Sequence, residues 1–275
     1  MSNALAAAEF RPDSVAVSPV DVVVGDEDPT ALFSTLGVEL PLLTRAARTV
    51  DGGTVWACEV EPGYPATDLW QRVRAVYEHT GLWPVLLGII DASLSAPGDQ
   101  QIAVAAEQDG RAWLEHARAE GPRDEEGPCG DDDPILESTY VLTEEDRDNE
   151  GFDWANAWIA VDEYPEAHRL ALVPAPHPWL VPHLLHWSGA RDFDLNGTDH
   201  ATMLRRWAGH WGAELLALRE YDLVVRVGNP PQADNEALTV AVEQFLYAPN
   251  TVYKAWGSLD ELKMRVPKPL WIFLW

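Results

Sequence analysis

The sequence predicts an α+β (mixed α/β) fold, in which helices flank a central mixed sheet. Two patterns carry this prediction. Residues 54–90 have the pattern of a strand, an amphipathic helix and a second strand. The C-terminal part has that of a helix, a hairpin, a second helix and a strand. With 275 residues, of which 47 % are hydrophobic, the chain is long and apolar enough to bury such a sheet.

The first unit begins with the string TVWACEV, which is typical of a strand. Thr67 or Asp68 can cap the helix that follows, and Gly81 can end it. Residues 82–90, LWPVLLGII, are apolar almost throughout, as expected for a strand covered on both faces. A right-handed crossover through the helix makes the two strands parallel.

The second half continues with a strand, HRLALVPA, and a segment rich in histidine. TDHATMLRRWAGHWG predicts an amphipathic helix that Thr198 caps and Gly212 ends. AELLALREYDLVVRVG predicts a hairpin with its turn at 219–222. A helix from about Asp234 then stops at a proline, SLDELKMRV predicts a short helix, and PLWIFLW predicts the final strand.

The helix from Asp234 has a predicted core face, with polar residues at its sides. The core face consists of Leu238, Ala241, Val242 and Phe245. Glu243 falls on the opposite face with Glu236 and Thr239, so we expect it to be solvated. Gln244 lies at the edge of the buried face.

Four segments divide the chain. We expect a loose lead-in over 1–28, the first half of the domain over 29–120, an acidic and partly mobile excursion over 121–150, and the C-terminal half over 151–275. The excursion has twelve acids, and its first half is rich in proline and glycine. Its end resembles the start of an EF-hand loop, but Ala157 stands where calcium binding requires a glutamate. A solvated charge run is therefore favoured.

The net charge of −26, from 45 acids against 19 bases, restricts the partners. Such a chain repels nucleic acid and anionic membranes, because phosphate contacts need clustered Lys and Arg. It attracts a basic protein surface, although solubility alone explains the same charge. The predicted partner-binding acids lie in the excursion: Asp124, Glu125, Glu126, Asp131, Asp132 and Asp133.

Location and redox state are also indicated by composition. No apolar run is long enough to span a membrane, and the first residues lack the basic start of a signal peptide, so we expect a cytoplasmic protein. Cys58 and Cys129 are the only cysteines, which favours a reducing compartment. The 13 tryptophans are expected mainly in the core, with an exposed sugar- or base-stacking face as the alternative.

We expect no metal and no cofactor. His177, His183 and His186 are close in sequence but have no carboxylate at a metal-binding spacing, so ordinary packing is favoured. The glycine-rich phosphate-binding strings do not occur. Ser188, in HWSGA, lacks the first glycine of a nucleophile elbow.

Six strings stand out together: GLWPVLL at 81–87, HWSGA at 186–190, MLRRWAGHWGAELLAL at 203–218, VRVGNPP at 225–231, ALTVAVEQFLYAPNTV at 237–252 and the closing WIFLW. In this order and spacing they resemble a bacterial family, common in actinobacteria, known as domain of unknown function 4253. The resemblance covers mainly residues 172–275 and implies no settled activity. Its frame positions are Trp187, Gly189, Trp207, Gly212, Pro230, Pro231, Gln244 and Asn250.

The polar residues depart from the pattern that the resemblance implies. Ala208 and His210 stand where the family helix carries glutamate and arginine, and Gln244 and Ala248 stand where the next helix carries histidine and cysteine. An amide cannot act as a general base near neutral pH, where a histidine can. If those groups react in relatives, this chain cannot use them in the same way.

We therefore expect a non-catalytic acidic protein-binding or accessory module of a bacterial cytoplasm, comparable to an immunity protein or an assembly partner. The alternative is an enzyme, hydrolase-like, with an unrecognised site. Its candidate residues are Asp91, His186, Arg205, His210 and Glu243. Asp91 enters because sites collect at the carboxyl ends of strands, although an aspartate there is more often a turn or cap residue.

Overall fold

The structure is a computed structural model, and it describes residues 8–13, 19–22, 26–62, 64–88, 107–121, 123–124, 127–128, 168–190 and 193–275. Asp91, Cys129, the EF-hand-like string and five of the six predicted partner-binding acids lie outside these residues. The sixth, Asp124, belongs to a two-residue strand.

A seven-stranded mixed sheet forms the centre of the fold. The strands in chain order are β1 (Thr44–Arg48), β2 (Thr54–Glu59), β3 (Leu82–Leu87), β4 (Arg123–Asp124), β5 (Gly127–Pro128), β6 (Arg169–Pro174), β7 (Ala213–Leu218), β8 (Asp222–Val227) and β9 (Leu270–Leu274). The order in the sheet is β1-β2-β6-β3-β7-β8-β9, and β4 pairs with β5 separately. Only β3 and β7 pair in parallel; the other neighbours in the sheet are antiparallel. The predicted α+β class with a mixed sheet is confirmed.

The two strands of the first unit run in the same direction, as predicted, but they are not neighbours. β6 lies between β2 and β3 and pairs antiparallel with both. The crossover therefore spans two positions in the sheet, and a strand from the second half fills the gap. As a result, the two halves of the chain share one sheet.

Helices cover the sheet and carry most of the polar residues discussed below. They are α1 (Thr30–Thr35), α2 (Tyr64–Ala75), α3 (Tyr77–Thr80), α4 (Gly110–Glu120), α5 (Val181–Leu184), α6 (Gly197–Trp211), α7 (Asp234–Tyr247) and α8 (Leu259–Arg265). A 3₁₀ turn, Pro178–Leu180, precedes α5, and a π-helical turn, Thr251–Trp256, follows α7. None of the helices in the described ranges has the length and apolar character that crossing a membrane requires.

Two predicted helix caps are wrong. The first helix begins at Tyr64, so Thr67 and Asp68 lie inside it. α6 begins one residue before Thr198, and its cap is Asn196, whose side chain accepts a hydrogen bond from the Thr198 amide. Asparagine is as good a cap as threonine, so the residue types alone did not decide between them.

Both predicted end glycines are correct, but the first predicted helix is interrupted at Val76 and forms α2 and α3, so Gly81 ends only α3. Gly81 and Gly212 have left-handed backbone conformations, with φ of 66° and 63°, and end α3 and α6. Glycine adopts this conformation without the steric cost that a side chain imposes. The hairpin β7–β8 follows α6 directly, so Gly212 also sets the point at which the chain enters the sheet.

Tryptophans fill the core, as predicted. Five of them are almost completely buried, namely Trp70, Trp83, Trp187, Trp207 and Trp271. Each of the five donates its indole N–H to an acceptor inside the protein. Four of these acceptors are backbone carbonyls, and the fifth is the carboxylate of Glu243. This exception leads to the candidate site.

Candidate functional site

A buried network of charges joins α6, α7 and the residues 8–13, which we call the strap. The Arg206 guanidinium donates from Nη2 to Oε1 of Glu243 at 2.7 Å and from Nη1 to Oδ1 of Asp13 at 2.8 Å. Trp207 Nε1 donates to the second oxygen of Glu243 at 2.8 Å. Arg206 and Glu243 are each 2 % exposed. Two opposite charges at this depth stabilise one another, whereas either one alone would be strongly destabilising.

The network also fixes the strap to the helices. Nη1 of Arg206 donates to the backbone oxygen of Arg11 at 2.7 Å, and Asp13 accepts the Gly110 amide hydrogen at the start of α4. Burial lowers the pKa of Arg206, but Glu243 and Asp13 more than offset this effect, so the pKa is raised overall. Arg206 therefore stays charged and holds three segments together.

The expectation that Glu243 is solvated is wrong. Every residue from 240 to 252 is buried, because α7 packs against α4 and α8 and its end continues into the buried π-helical turn. The helix therefore has no exposed face at Glu243, and the predicted division into core and solvent sides fails there. Arg206 and Trp207 supply the partners that allow the carboxylate to be buried.

A cavity of about 490 Å³, which we call cavity one, lies between the strap, α6 and α7. Its lining comprises Glu9, Phe10, Arg11, Pro12, Arg206, His210, Trp211, Asn235, Glu236, Leu238, Thr239, Val240 and Glu243. The His210 imidazole makes a hydrogen bond with the backbone carbonyl of Pro12, and burial, followed by the charge of Arg206, lowers its pKa. His210 is therefore neutral at neutral pH.

Cavity one brings together two of the five residues proposed for an enzyme, His210 and Glu243. Arg205 is adjacent but points elsewhere: it contacts Asp13 at 3.5 Å and lies over the ring of Trp179. His186 is in the turn after α5, with a φ of 50°, and does not line the cavity. The fifth, Asp91, lies outside the described residues.

A second cavity of about 180 Å³, cavity two, lies between α4, the start of α6 and the end of α7. It is lined by Trp113, His116, Ala117, Glu120, Gly121, Phe193, Asp194, Leu195, Asp199, Leu246, Tyr247 and Pro249. Asp199 accepts the Trp113 indole hydrogen at 2.9 Å and the Asn196 amide hydrogen at 3.0 Å. Burial raises the pKa of Asp199.

Behind cavity two, Tyr247 Oη and His200 Nδ1 share a hydrogen bond of 2.6 Å. Both residues are buried, and the rings of Trp187 and Trp275 surround His200. Burial lowers the pKa of His200 to about 3 and raises that of Tyr247 well above its usual range. Both groups are therefore neutral at neutral pH.

Two other histidines and a cysteine are packed against neighbouring side chains or buried in the core. His183 is fully buried, with its Nδ1 3.5 Å from the Thr198 hydroxyl, and His177 stacks on Trp179. Burial raises the pKa of the Cys58 thiol to about 11. In the part of the chain that the structure describes, no group of three or more His, Cys, Asp or Glu side chains could hold a metal ion.

The frame positions of the resemblance are structural. Trp187, Trp207, Gln244 and Asn250 are buried, and Gly212 has the left-handed conformation already described. A Cβ on Gly189 would lie 2.2 Å from the Trp187 ring, so only glycine fits there. None of the eight frame positions lines either cavity.

Sequence reasoning missed the residues that organise both cavities: Asp13, Arg206, Asp199 and His200. The one available signal was the position of Arg206 on α6. It lies three residues after Met203, on the same side of the helix, and Met203 is buried, so a partner for the charge of Arg206 was required. Asp13 could not be found in this way, because the strap has no periodic pattern.

Residues 169–275 match the sequence model of a domain of unknown function (DUF4253). The matched region contains β6 to β9 and α5 to α8, and it supports a DUF4253-like domain in this part of the chain. β3 precedes the match but lies between β6 and β7 in the sheet, so the matched strands are completed by the first half. A search of curated proteins and a search of solved structures each returned no match.

Proposed function

We propose that the protein is a non-catalytic, acidic protein-binding or accessory module of a bacterial cytoplasm, comparable to an immunity protein or an assembly partner. Its partner is another protein with a basic surface. The observation that carries this proposal is the net charge of −26. A charge of this size attracts basic surfaces and accelerates their association at low ionic strength.

The distribution of exposed charge on α4 supports the proposal. Glu115 and Glu120 on this helix are exposed, as are Glu107 and Asp109 just before it. Of the arginines on α4, Arg118 is directed to the strap, where it donates to the Ala8 carbonyl and covers the Phe10 ring. The exposed charges over 107–120 are therefore four acids against one arginine, Arg111, which pairs with Glu115, and the acidic residues 121–150 follow in the sequence.

The internal pairing at cavity one also favours binding over catalysis. Glu243 is paired with Arg206 and bonded to Trp207, so its negative charge already has a cationic partner inside the protein. The same arginine is shared with Asp13. These groups fix the strap against α6 and α7, so they act in positioning that part of the surface.

The experiment is an affinity capture from the native host with the tagged full chain, at about 0.15 M and about 1 M salt. We expect a stoichiometric basic protein that is retained at low salt and released at high salt. A variant with Glu107, Glu115 and Glu120 changed to glutamine should lose the partner at lower salt than a control with Glu27, Glu61 and Glu78 changed to glutamine. Both variants remove three charges from exposed positions. Recovery of no stoichiometric partner at either salt concentration contradicts the proposal.

An enzyme, hydrolase-like, is the second candidate, and one observation favours it. His210 and Glu243 line the same cavity, and the neutral imidazole of His210 is the form that can accept a proton. Hydrolysis of ester or phosphate substrates that is lost in a folded His210→Ala variant would favour this candidate over the binding module.

A further inference from the structure

Cavity two combines an aromatic wall with carboxylates. Trp113, Phe193 and Tyr247 contribute rings to its lining, and Glu120, Asp194 and Asp199 contribute carboxyl groups. The Trp113 and Tyr247 rings lie edge to face, with their centroids 6.1 Å apart. Aromatic faces and carboxylates attract the same class of group, a cation.

Asp199 is the carboxylate that sets this cavity apart. It accepts hydrogen bonds from the Trp113 indole and the Asn196 amide, which fix its position at the first turn of α6. Among the described residues, no arginine, lysine or histidine pairs with it, whereas Glu243 and Asp13 at cavity one both share an arginine. Its negative charge is therefore partly buried, and the described residues offer it no cationic partner.

The size of the cavity limits what can enter. A volume of about 180 Å³ is smaller than the roughly 300–1,000 Å³ of a pocket for a drug-sized ligand. It suits one side chain. Arginine fits best, because its planar guanidinium can stack on an aromatic ring and donate two parallel hydrogen bonds to a carboxylate.

The surroundings favour a protein as the source of that side chain. Glu120 and Asp194 at the rim are both exposed, and Glu107 and Asp109 just before α4 are exposed as well. His116 also lies at the rim, where its Nε2 is 3.4 Å from Glu120. A basic partner would thus be attracted over a wide area, while the cavity selects one side chain.

We propose that cavity two receives an arginine side chain of a basic partner protein, whose guanidinium stacks on the face of the Trp113 ring and lies beside the carboxylate of Asp199. This inference rests on the proposed function and adds a specific docking point to it. The buried arginine is the type of anchor that dominates the energetics of protein interfaces.

The test uses the full chain and a hexa-arginine peptide at about 0.15 M salt. Two-dimensional NMR follows the Trp113 indole N–H, which donates to Asp199 and therefore reports on the cavity directly. A Trp113→Phe variant assigns that resonance. We expect it to shift on titration, and we expect Asp199→Asn to weaken the peptide affinity about tenfold. Asparagine keeps an oxygen that can accept the indole hydrogen, so the fold should be preserved.

Glu61→Gln is the matched control. It removes one negative charge, but Glu61 is exposed, lies outside the acidic surface around α4 and does not line the cavity. Its effect on the peptide affinity should be no more than about twofold, because exposed charges contribute little. If Asp199→Asn does not fold, Trp113→Leu tests the aromatic wall with the carboxylate unchanged, and a loss of affinity similar to that expected for Asp199→Asn is predicted.

The outcomes separate this inference from the proposed function. Equal peptide affinities for Asp199→Asn and Glu61→Gln would overturn the docking point and leave the binding module intact. If neither the peptide nor a host protein binds, both proposals fail. Guanidinium chloride serves as the second probe: if this small cation shifts the Trp113 resonance with the affinity of the peptide, the cavity is a site for free cations and the proposed protein side chain is wrong.

Discussion

Cavity one is lined by the buried carboxylate of Glu243 and cavity two by the partly buried carboxylate of Asp199, and these two carboxylates have different partners. At cavity one, Glu243 and Asp13 share the guanidinium of Arg206. At cavity two, Asp199 is held by an indole and a backbone amide, with no cationic partner in the described part of the chain. The chain has only 19 basic residues for 45 acids, so the positions of its few arginines distinguish the two regions.

This difference indicates how an acidic chain can divide its carboxylates between folding and binding. When a buried carboxylate is paired with an arginine, its charge is compensated inside the protein, and the pair is part of the fold. A partly buried carboxylate that lacks such a partner can still be stabilised by a cation from another molecule. The comparison predicts that substitutions in the two regions have opposite profiles in stability and in binding.

The largest effect is expected at the buried pair. Glu243→Gln should lower the free energy of unfolding by about 3 kcal/mol, because it leaves the charge of Arg206 buried with only Asp13 as a partner. Glutamine retains an oxygen that can accept the Trp207 hydrogen, so the loss reports mainly on the missing charge. Urea unfolding followed by circular dichroism measures it.

A double variant, Arg206→Met with Glu243→Leu, is the control for this first prediction. Replacing both members of a buried pair by apolar residues is often tolerated far better than removing one of them. The double variant should therefore be more stable than the sum of its single variants predicts. Additive losses would mean that the two groups do not depend on one another, and the comparison between the cavities would lose its basis.

The next largest effect is a loss of stability at low pH, and it comes from His200, which is buried behind cavity two. Burial lowers the pKa of His200 to about 3, whereas an unfolded histidine titrates near 6.5. Between these values the unfolded chain binds the proton and the folded chain does not, so the stability is complete above about pH 6.5 and falls as the pH is lowered. The slope from this one group is about 1.4 kcal/mol per pH unit.

Thermal unfolding measured from about pH 7 to about pH 4 gives this slope. His200→Gln should remove the part that His200 contributes, although it lowers the stability at neutral pH by disturbing the bond to Tyr247. His116→Gln, which changes an exposed histidine, is the control variant. A slope that is the same in both variants would contradict a neutral, buried His200.

Periodicity predicted the elements of the second half well, and it failed where burial depends on distant segments. The hairpin β7–β8, the start of α7 at Asp234 and the glycine at the end of α6 follow local rules of turns and helix ends. Glu243 does not, because its burial depends on α4 and on the π-helical turn, neither of which is visible in the pattern of one helix.

The strand order shows the same limit. The direction of β2 relative to β3 follows from a crossover, which is a local unit. The insertion of β6 between them depends on a pairing over more than eighty residues, for which the sequence offers no local signal. The candidate site was only partly predictable for this reason: His210 and Glu243 were proposed, but Asp13 and Arg206, which connect them to the strap, were not.

The smallest effect on stability is expected for Asp199→Asn, which is also the variant with the largest expected effect on binding. It should change the free energy of unfolding by at most about 1 kcal/mol, the usual size of a capping contribution. Burial raises the pKa of Asp199 above that of an unfolded aspartate. The folded protein therefore loses stability as the pH rises from the unfolded pKa to the folded pKa, because its buried carboxyl resists ionisation. A neutral asparagine removes that penalty and offsets the weaker cap. Urea unfolding at neutral pH compares it directly with Glu243→Gln, and an equal loss in the two variants would make Asp199 a structural anchor like Glu243, with no charge left for a partner.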